Sequence, residues 1–373
     1  MRPVEAGSEP YVGKTANLRR SLQRLLGPVE GHSRKLNLRD RVGSVEWTIT
    51  GSEFESAFLL YKTLRREFPK AYEKRLRLRF APLIKLILDN PYPRATVTSR
   101  ISSLKANAEY YGPFLSRAQA EKFANDSLDL FKMRRCTDDL HPDPAFPGCI
   151  YSEMKMCLAP CFKGCTDEEY VAEVDRVRQY FSSAGQSLVR EIERMRDDAS
   201  AELDFEAAAA LHGRVEKVKS ATQLPGIMRR LDELNGVMIQ PSAEPESVTL
   251  FKIQAGMICE PVFLNVGAQA ETEHLQAKHR SMEMRIDDAL AVAGPCKPHS
   301  ALEWMEHLAI LKRWYYRSSK TGELFLADGA GELPMRRIVR GVTRVFRGEK
   351  SAGDLSETAG DYWKFRAGEA GIR

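Results

Sequence analysis

The chain has 373 residues, 43% hydrophobic and 29% charged, with a formal net charge of +5. That length leaves room for two or three domains, since one hydrophobic core rarely serves more than about 250–300 residues. The composition excludes a mostly disordered chain, and no run approaches the roughly 18–20 apolar residues needed to span a bilayer.

The opening MRPVEAGSEP has no apolar signal core, so the sequence predicts a soluble, cytoplasmic protein without membrane contact. The first nine residues read as a loose end. YVGKTANLRRSLQRLL then predicts a short strand, a turn and a helix, with Leu18, Leu22, Leu25 and Leu26 at helical spacing and Asn17 as cap. Val45–Thr50 reads as a second strand. Ser52 opens a capping box and a helix carrying Phe54, Ala57, Phe58, Tyr61 and Leu64 that ends before Pro69. Short strands are expected around Leu76–Phe80, Leu83–Leu88 and Ala95–Thr98, which makes residues 1–100 a small α/β domain. Within this stretch, Lys62 to Lys105 holds twelve Lys/Arg against three acids, Glu67, Glu73 and Asp89. A local surplus of that kind favours a polyanion such as nucleic acid.

After YYGPF a helix is expected over Ala118–Phe131, then a cysteine-rich loop; together they form a helical linker over 101–180. Residues 168–219 read as helical, splitting into two antiparallel helices near Ser183–Gly185 or near Leu203–Asp204, with the hairpin proper over 181–224. Beyond Pro225 the stretches Val237–Ile239, Val248–Ile253 and Pro261–Val266 alternate like a meander. A helix over Ala301–Arg317 completes a small β-containing region at 225–348, and 349–373 read as a flexible tail. The fold class expected is α+β.

Five of the seven cysteines crowd into thirty residues: Cys136, Cys149, Cys157, Cys161 and Cys165, spaced C-x12-C-x7-C-x3-C-x3-C. In a reducing compartment such density argues for metal rather than disulfides. Four thiolates around zinc or an iron–sulfur cluster would satisfy it; the plainer reading is a set of small buried hydrophobes. Cys259 and Cys296 stand apart and read as ordinary core or surface residues. In the hairpin, the run Ala207–Ala210 allows close approach of a backbone, with Leu203, Phe205, Leu211 and Val215 as apolar anchors. Such a stripe docks either on a partner or on its own domain.

Several of these stretches, in this order, resemble the UvrC subunit of the bacterial excinuclease ABC. YVGKTANLRRSL resembles the YIG half of a GIY-YIG nuclease motif, and SEFESAFLLYKTLRREFPKAY the helix that follows it. TVTSRISSLKANAEYYGPFLSRAQAEKFANDSLDLFKMRRC and GCIYSEMKMCLAPC resemble the segment around that family's cysteine cluster. ELDFEAAAALHGRV looks like the UVR motif through which UvrC contacts UvrB. The resemblance covers roughly residues 10–220 and thins beyond 235. The length leaves no place for the family's C-terminal RNase H-like nuclease and helix-hairpin-helix motifs.

By that resemblance, Cys136, Cys149, Cys157 and Cys161 hold a 4Fe–4S iron–sulfur cluster, with zinc as the alternative and Cys165 as an extra. Leu203, Phe205, Glu206, Ala208, Ala209 and Leu211 contact UvrB, although His212-Gly213 replaces the usual Arg-Asp pair. Tyr11 and Lys14 are the retained catalytic-motif residues. No GIY-type tyrosine lies upstream of Tyr11, Ser21 stands where the catalytic arginine belongs, and the ungapped match puts Leu60 at the metal-binding glutamate. A leucine cannot hold Mg²⁺, and a lost arginine removes a stabiliser of the phosphoryl charge; a shifted alignment would promote Glu53 or Glu55.

The expectation is a UvrC-like protein of nucleotide excision repair and the SOS response, with a degenerate nuclease site, binding UvrB and damaged DNA. Arg65, Arg66, Lys74, Arg75, Arg77 and Arg79 would meet phosphates. The alternatives are an active GIY-YIG endonuclease using Mg²⁺ and a UVR-bearing scaffold outside repair.

Overall fold

The computed structural model describes residues 1–5, 7–28, 36–137, 139–222, 229–267 and 280–349. The expected flexible tail therefore lies, from residue 350, outside the described residues.

The N-terminus is tied down rather than loose. β1 (Arg2–Pro3) pairs antiparallel with β2 (Val42–Ser44). The Met1 ammonium donates to the Tyr11 carbonyl at 3.0 Å, and the Tyr11 N–H donates back to Met1 at 3.1 Å. The Arg2 guanidinium forks onto Glu67 at 2.9 and 3.3 Å, a two-point contact that a composition count does not register. The strand expected at Tyr11 has no ladder partner, and Val45–Thr50 forms no ladder either. α1 (Leu18–Leu26) starts as expected, with the Asn17 side chain accepting the Arg20 N–H at 2.9 Å.

α2 (Glu53–Glu67) begins where Ser52 Oγ accepts the Glu55 N–H at 3.1 Å. Glu55 reaches back one residue further than a capping box requires, to the Gly51 N–H at 2.8 Å. The strand expected around Leu76–Phe80 does not form: the short α3 (Tyr72–Leu76) is closed by Arg77 at φ 49°, and residues 77–80 join no ladder.

The first four-stranded sheet is wholly antiparallel, in the order β4–β3–β5–β6: β3 (Leu83–Ile87), β4 (Arg94–Thr98), β5 (Ala108–Gly112) and β6 (Arg229–Arg230). β5 is drawn from AEYYG, a stretch that no sequence signal marks as a strand. Its two tyrosines point into different cores, Tyr110 with Leu83 on one face and Tyr111 with Ile84 and Leu86 on the other. Period-2 patterning is invisible when both faces are apolar.

α4 (Arg117–Leu128) follows, then the cysteine loop, which carries the one-turn helix α5 (Ile150–Glu153) and a 3-10 turn at Pro160–Phe162. The expected helix pair is three helices: α6 (Asp167–Ser182), α7 (Gln186–Ala201) and α8 (Phe205–Thr222). Both candidate breaks are real, because Gly185 (φ 86°) turns α6 into α7 and Leu203 (φ 62°) turns α7 into α8. α4, α6, α7 and α8 bury Phe123, Tyr170, Val177, Tyr180, Ile192, Val215 and Val218 against Tyr111.

The C-terminal sheet runs β10–β8–β7–β11, with β9 attached to β8: β7 (Gly236–Pro241), β8 (Ser247–Gln254), β9 (Met257–Ile258), β10 (Val262–Asn265) and β11 (Glu323–Leu326). The predicted meander is its centre. Alternation along β7 and β8 sends Val237, Ile239, Val248 and Leu250 to one face, under α9 (Met282–Val292) and α11 (Met335–Phe346). Met238, Phe251 and Ile253 go to the other face, under α10 (Ala301–Tyr315) and α2.

Residues 1–100 thus do not close on themselves as a separate unit. α2 gives Phe54, Phe58, Tyr61 and Leu64 to the core of the C-terminal sheet, while β3 and β4 need β5, beyond residue 100. Burying such a side chain is worth roughly 1.5–3 kcal/mol, so α2 is fixed by residues far downstream in the chain. Cys259 and Cys296 are also not the isolated residues expected: they form a disulfide, Cα atoms 5.6 Å apart. The overall class is α+β, and among the described residues no helix is long and apolar enough to cross a membrane.

Candidate functional site

At the N-terminal motif, the Tyr11 ring lies over Gly13, where an added Cβ would sit 3.5 Å from the Tyr11 hydroxyl. Lys14 Nζ is 3.6 Å from Glu53 Oε1, and the other Glu53 oxygen is paired with Arg317. Arg317 above all holds the Glu53 carboxyl below its ordinary range. Position 21 is a half-buried serine in α1, and Leu60 packs against the core of the C-terminal sheet. Glu55 is a buried cap whose carboxyl burial pushes upward. The arrangement is one carboxylate between two cations. Its charge is balanced by Lys14 and Arg317, which oppose binding of Mg²⁺ at that carboxylate. Arg317 lies just past the C-terminal end of α10 and has no signal in the motif itself.

The cysteine loop is built on the helical core of α4, α6, α7 and α8, against which Leu158 and Cys165 pack. Leu158 N–H donates to the Lys132 carbonyl at 2.9 Å and Asp143 N–H to the Cys161 carbonyl at 2.8 Å, tying the loop's two sides to its base. Lys155, Ala159 and Lys163 all adopt left-handed backbone (φ 56°, 60° and 59°), a concentration of strain typical of clamps. Cys136, Cys149, Cys157 and Cys161 are half-buried, unbonded thiols. They lie within electrostatic reach of one another: burial, aided by the sulfurs of Cys136, Cys161 and Cys149, pushes the Cys157 thiol up to about 11. Cys157 Sγ accepts the Ala159 N–H at 3.3 Å, and Cys136 Sγ accepts from the buried Arg134 guanidinium at 3.4 Å. Such donors favour thiolate, so the donor set fits a thiolate-bound metal or cluster in kind. Among the described residues no three His, Cys, Asp or Glu side chains stand at the spacing of a metal-binding set. Cys165 instead packs partly on the helical core.

In the helical hairpin the core ends short of the tip. Val215 and Val218 are buried and Leu211 packs partly on the same core, so Leu211 and Val215 are internal rather than free anchors. Towards the turn the side chains leave the core: Leu203 is 73% and Phe205 66% exposed. The cause is local, because Asp204 Oδ1 caps α8 by accepting the Ala207 N–H at 3.0 Å and Leu203 takes the left-handed turn, which directs both apolar side chains outward. Glu206 and Ala209 are exposed and Ala208 is half-buried.

The basic stretch is partly committed inside the protein. Arg65 pairs with Glu303 and donates to Tyr61 Oη at 3.0 Å. Arg75 pairs with Glu9 at 2.6 Å and lies 3.8 Å over the Phe68 ring. Arg66 shares Glu67 with Arg2. Arg65 and Arg75 therefore hold α2 and α3 in place, and the part directed to solvent is Arg66, Lys74, Arg77 and Arg79.

Comparison with known proteins adds an independent line. Residues 81–180 match the family model described as UvrC/Cho excinuclease, middle domain, a stretch running from β3 through the cysteine loop into α6. The chain is similar to UvrABC system protein C of Methanothermobacter thermautotrophicus, 25% identical over 306 residues, covering 80% of this chain and 51% of that one. It is also similar to UvrABC system protein C of Idiomarina loihiensis, 27% identical over 239 residues (61% and 37% of the two chains). The protein of the same name from Actinobacillus pleuropneumoniae is 29% identical over 231 residues, again 61% and 37%. The chain spans about half or less of the length of these relatives. No solved structure matches it.

Proposed function

We propose, from the premise of that similarity to UvrC, that the chain is a UvrC-like protein of nucleotide excision repair that grips rather than cuts. The observation carrying this reading is the hairpin tip, where Leu203 and Phe205 project 73% and 66% exposed from a capped turn. Two large exposed apolar side chains at the end of a helical arm are what a partner pocket takes up as an anchor, and the partner assigned to them is UvrB. At the N-terminal motif, the engagement of the Glu53 carboxylate by Lys14 and Arg317 and the apolar Leu60 at the expected metal-binding position support the non-cutting reading, since phosphodiester cleavage needs a divalent ion. The proposed substrate is damaged DNA, held without incision.

Cys136, Cys149, Cys157 and Cys161 are the proposed ligands of an iron–sulfur cluster, zinc being the alternative. When bound, that group would supply a cross-link between the two sides of the loop. Arg134 and the Ala159 N–H donate to the sulfurs and favour their thiolate form.

The test pairs UvrB capture with nicking of lesion-containing duplex in the presence of UvrA, UvrB and Mg²⁺ or Mn²⁺. Binding without nicking is expected. The double substitution Leu203→Ser with Phe205→Ser should leave the melting temperature unchanged and weaken UvrB binding by at least about 2 kcal/mol, roughly 30-fold. Nicking that disappears in Glu53→Gln would overturn the non-cutting reading.

A further inference from the structure

α11 is the most one-sidedly charged element in the described chain. Its sequence, MRRIVRGVTRVF, holds four arginines and no acid, and Arg347 follows at its C-cap. Ile338, Gly341, Val342 and Val345 are buried against the C-terminal sheet. At about 100° per residue, Arg336, Arg340, Thr343 and Arg347 fall on the opposite side, and all four are exposed.

The neighbouring acids are mostly engaged elsewhere. Glu323 binds Arg344 through two bonds of 2.7 Å, Asp288 pairs with Arg280, and Asp328 accepts backbone N–H groups of Ala330 and Glu332. Among the described residues only Glu349 touches the stripe, at 3.7 Å from Arg347. The Glu323 pair also pins α11 to β11, so the stripe is presented on a rigid support.

We infer that this face of α11 is a docking surface for the sugar-phosphate backbone of a nucleic acid. Three observations select that partner. Arginine offers a planar fork suited to phosphate. From Arg336 to Arg347 the helix rises about 16 Å, the axial length of roughly five nucleotides of one strand. Most of the apolar side of α11 is consumed by the sheet, leaving Phe346, at 42% exposure, as its one exposed large apolar residue, where a membrane-surface helix carries a continuous apolar face. The inference rests on the reading that the protein works on DNA, but places the phosphate contacts on the C-terminal sheet rather than on the 65–79 stretch, where Arg65 and Arg75 are already paired.

The experiment measures anisotropy of a fluorescein-labelled, undamaged duplex of about 30 base pairs against salt, for the full chain and for R336Q/R340Q/R347Q. These side chains are exposed, so the triple variant should melt with the parent. Its slope of log affinity against log salt should be shallower by between about 2 and 3, near 0.9 for each phosphate that is no longer neutralised. An unchanged slope in the triple variant, with a reduced one in R66Q/K74Q, would move the phosphate binding to the 65–79 stretch and overturn the inference alone. Binding to phosphatidylserine vesicles that exceeds binding to duplex and falls in the triple variant would overturn it in favour of a membrane surface. A parent chain that captures UvrB yet binds no duplex at low salt would overturn both this inference and the DNA part of the proposed function, leaving the hairpin's role intact.

Discussion

His307 sits on α10, 6% exposed, with its ring edge-on to Phe58 (5.5 Å) and Tyr61 (5.4 Å). Its Nδ1 accepts the Ile258 N–H at 3.0 Å, which requires the neutral ring. Burial pushes its pKa down from 6.5 to about 4; Arg65 and Lys62 add to that and Glu303 opposes it. The unfolded chain therefore takes up a proton near pH 6.5 that the folded chain refuses until about pH 4. Stability contributed by the neutral ring is complete above pH 6.5 and is lost as pH falls through the window down to about 4. Between about pH 7.5 and pH 4.5 the loss amounts to about 2.5 kcal/mol. The neighbouring Glu306 works in the opposite sense, since burial raises its carboxyl and acid favours the folded form there, so the parent chain alone reports a mixture.

His307→Asn separates the two. It keeps an acceptor for Ile258, removes the ring packing, and should cost about 1–3 kcal/mol at neutral pH. Urea unfolding followed by circular dichroism, at about pH 7.5, 6 and 4.5, should show the gap between variant and parent closing by about 2.5 kcal/mol on acidification. Parallel stability curves for the two proteins would refute the buried neutral imidazole.

Three further outcomes are expected. Gly185→Ala meets both a positive φ and the Thr222 methyl, and should lower stability by about 2 kcal/mol or more; Thr222→Ser should recover the steric share, as thermal melts will read. Glu109 binds Arg178, Arg230 and Tyr111 Oη; burial alone would raise its carboxyl, and Arg178 is the chief partner that holds it below the usual range instead. Glu109→Gln should therefore destabilise by about 2–4 kcal/mol at neutral pH, and the gap should shrink as pH falls below 4.5 through the depressed value. Elemental analysis of anaerobically purified protein should find metal absent from Cys157→Ser and retained in Cys165→Ser; equal retention in both would sink the four-cysteine assignment.

Much of the fold is legible in the residues alone. The helix caps at Asn17 and Ser52, the meander and both candidate breaks in the hairpin follow from residue types that act locally. What the sequence hides is non-local. β5 escapes because both its faces are buried and alternation vanishes. The short β1 depends on β2 and, through Arg2, on Glu67, both far along the chain. α9 and α11 lie outside the expected elements, although α11 alternates apolar and basic residues at helical spacing and carries a readable signal. At the sites, the exposed hairpin tip is readable from Leu203 and Phe205, whereas the neutralisation of Glu53 requires Arg317 from the other end of the chain. The basic stretch misleads in part, because a count of charges does not reveal which are already paired.

The two-residue strand β6 has a mechanical consequence. The polypeptide leaves β5 at Gly112, builds the cysteine loop and the whole helical arm, and returns to lie beside the strand it left, Gly112 against Arg229. The arm is thus an excursion with a closed neck, clasped further by Glu109 between Arg178 and Arg230. Both ends of the excursion therefore meet the sheet at one spot, on neighbouring strands, while the helices between them pack on the sheet face around Tyr111. Entry to and exit from the helical arm thus share a single two-residue seam, and losing β6 would free the arm's return end without touching the pairing of β3 with β4 and β5.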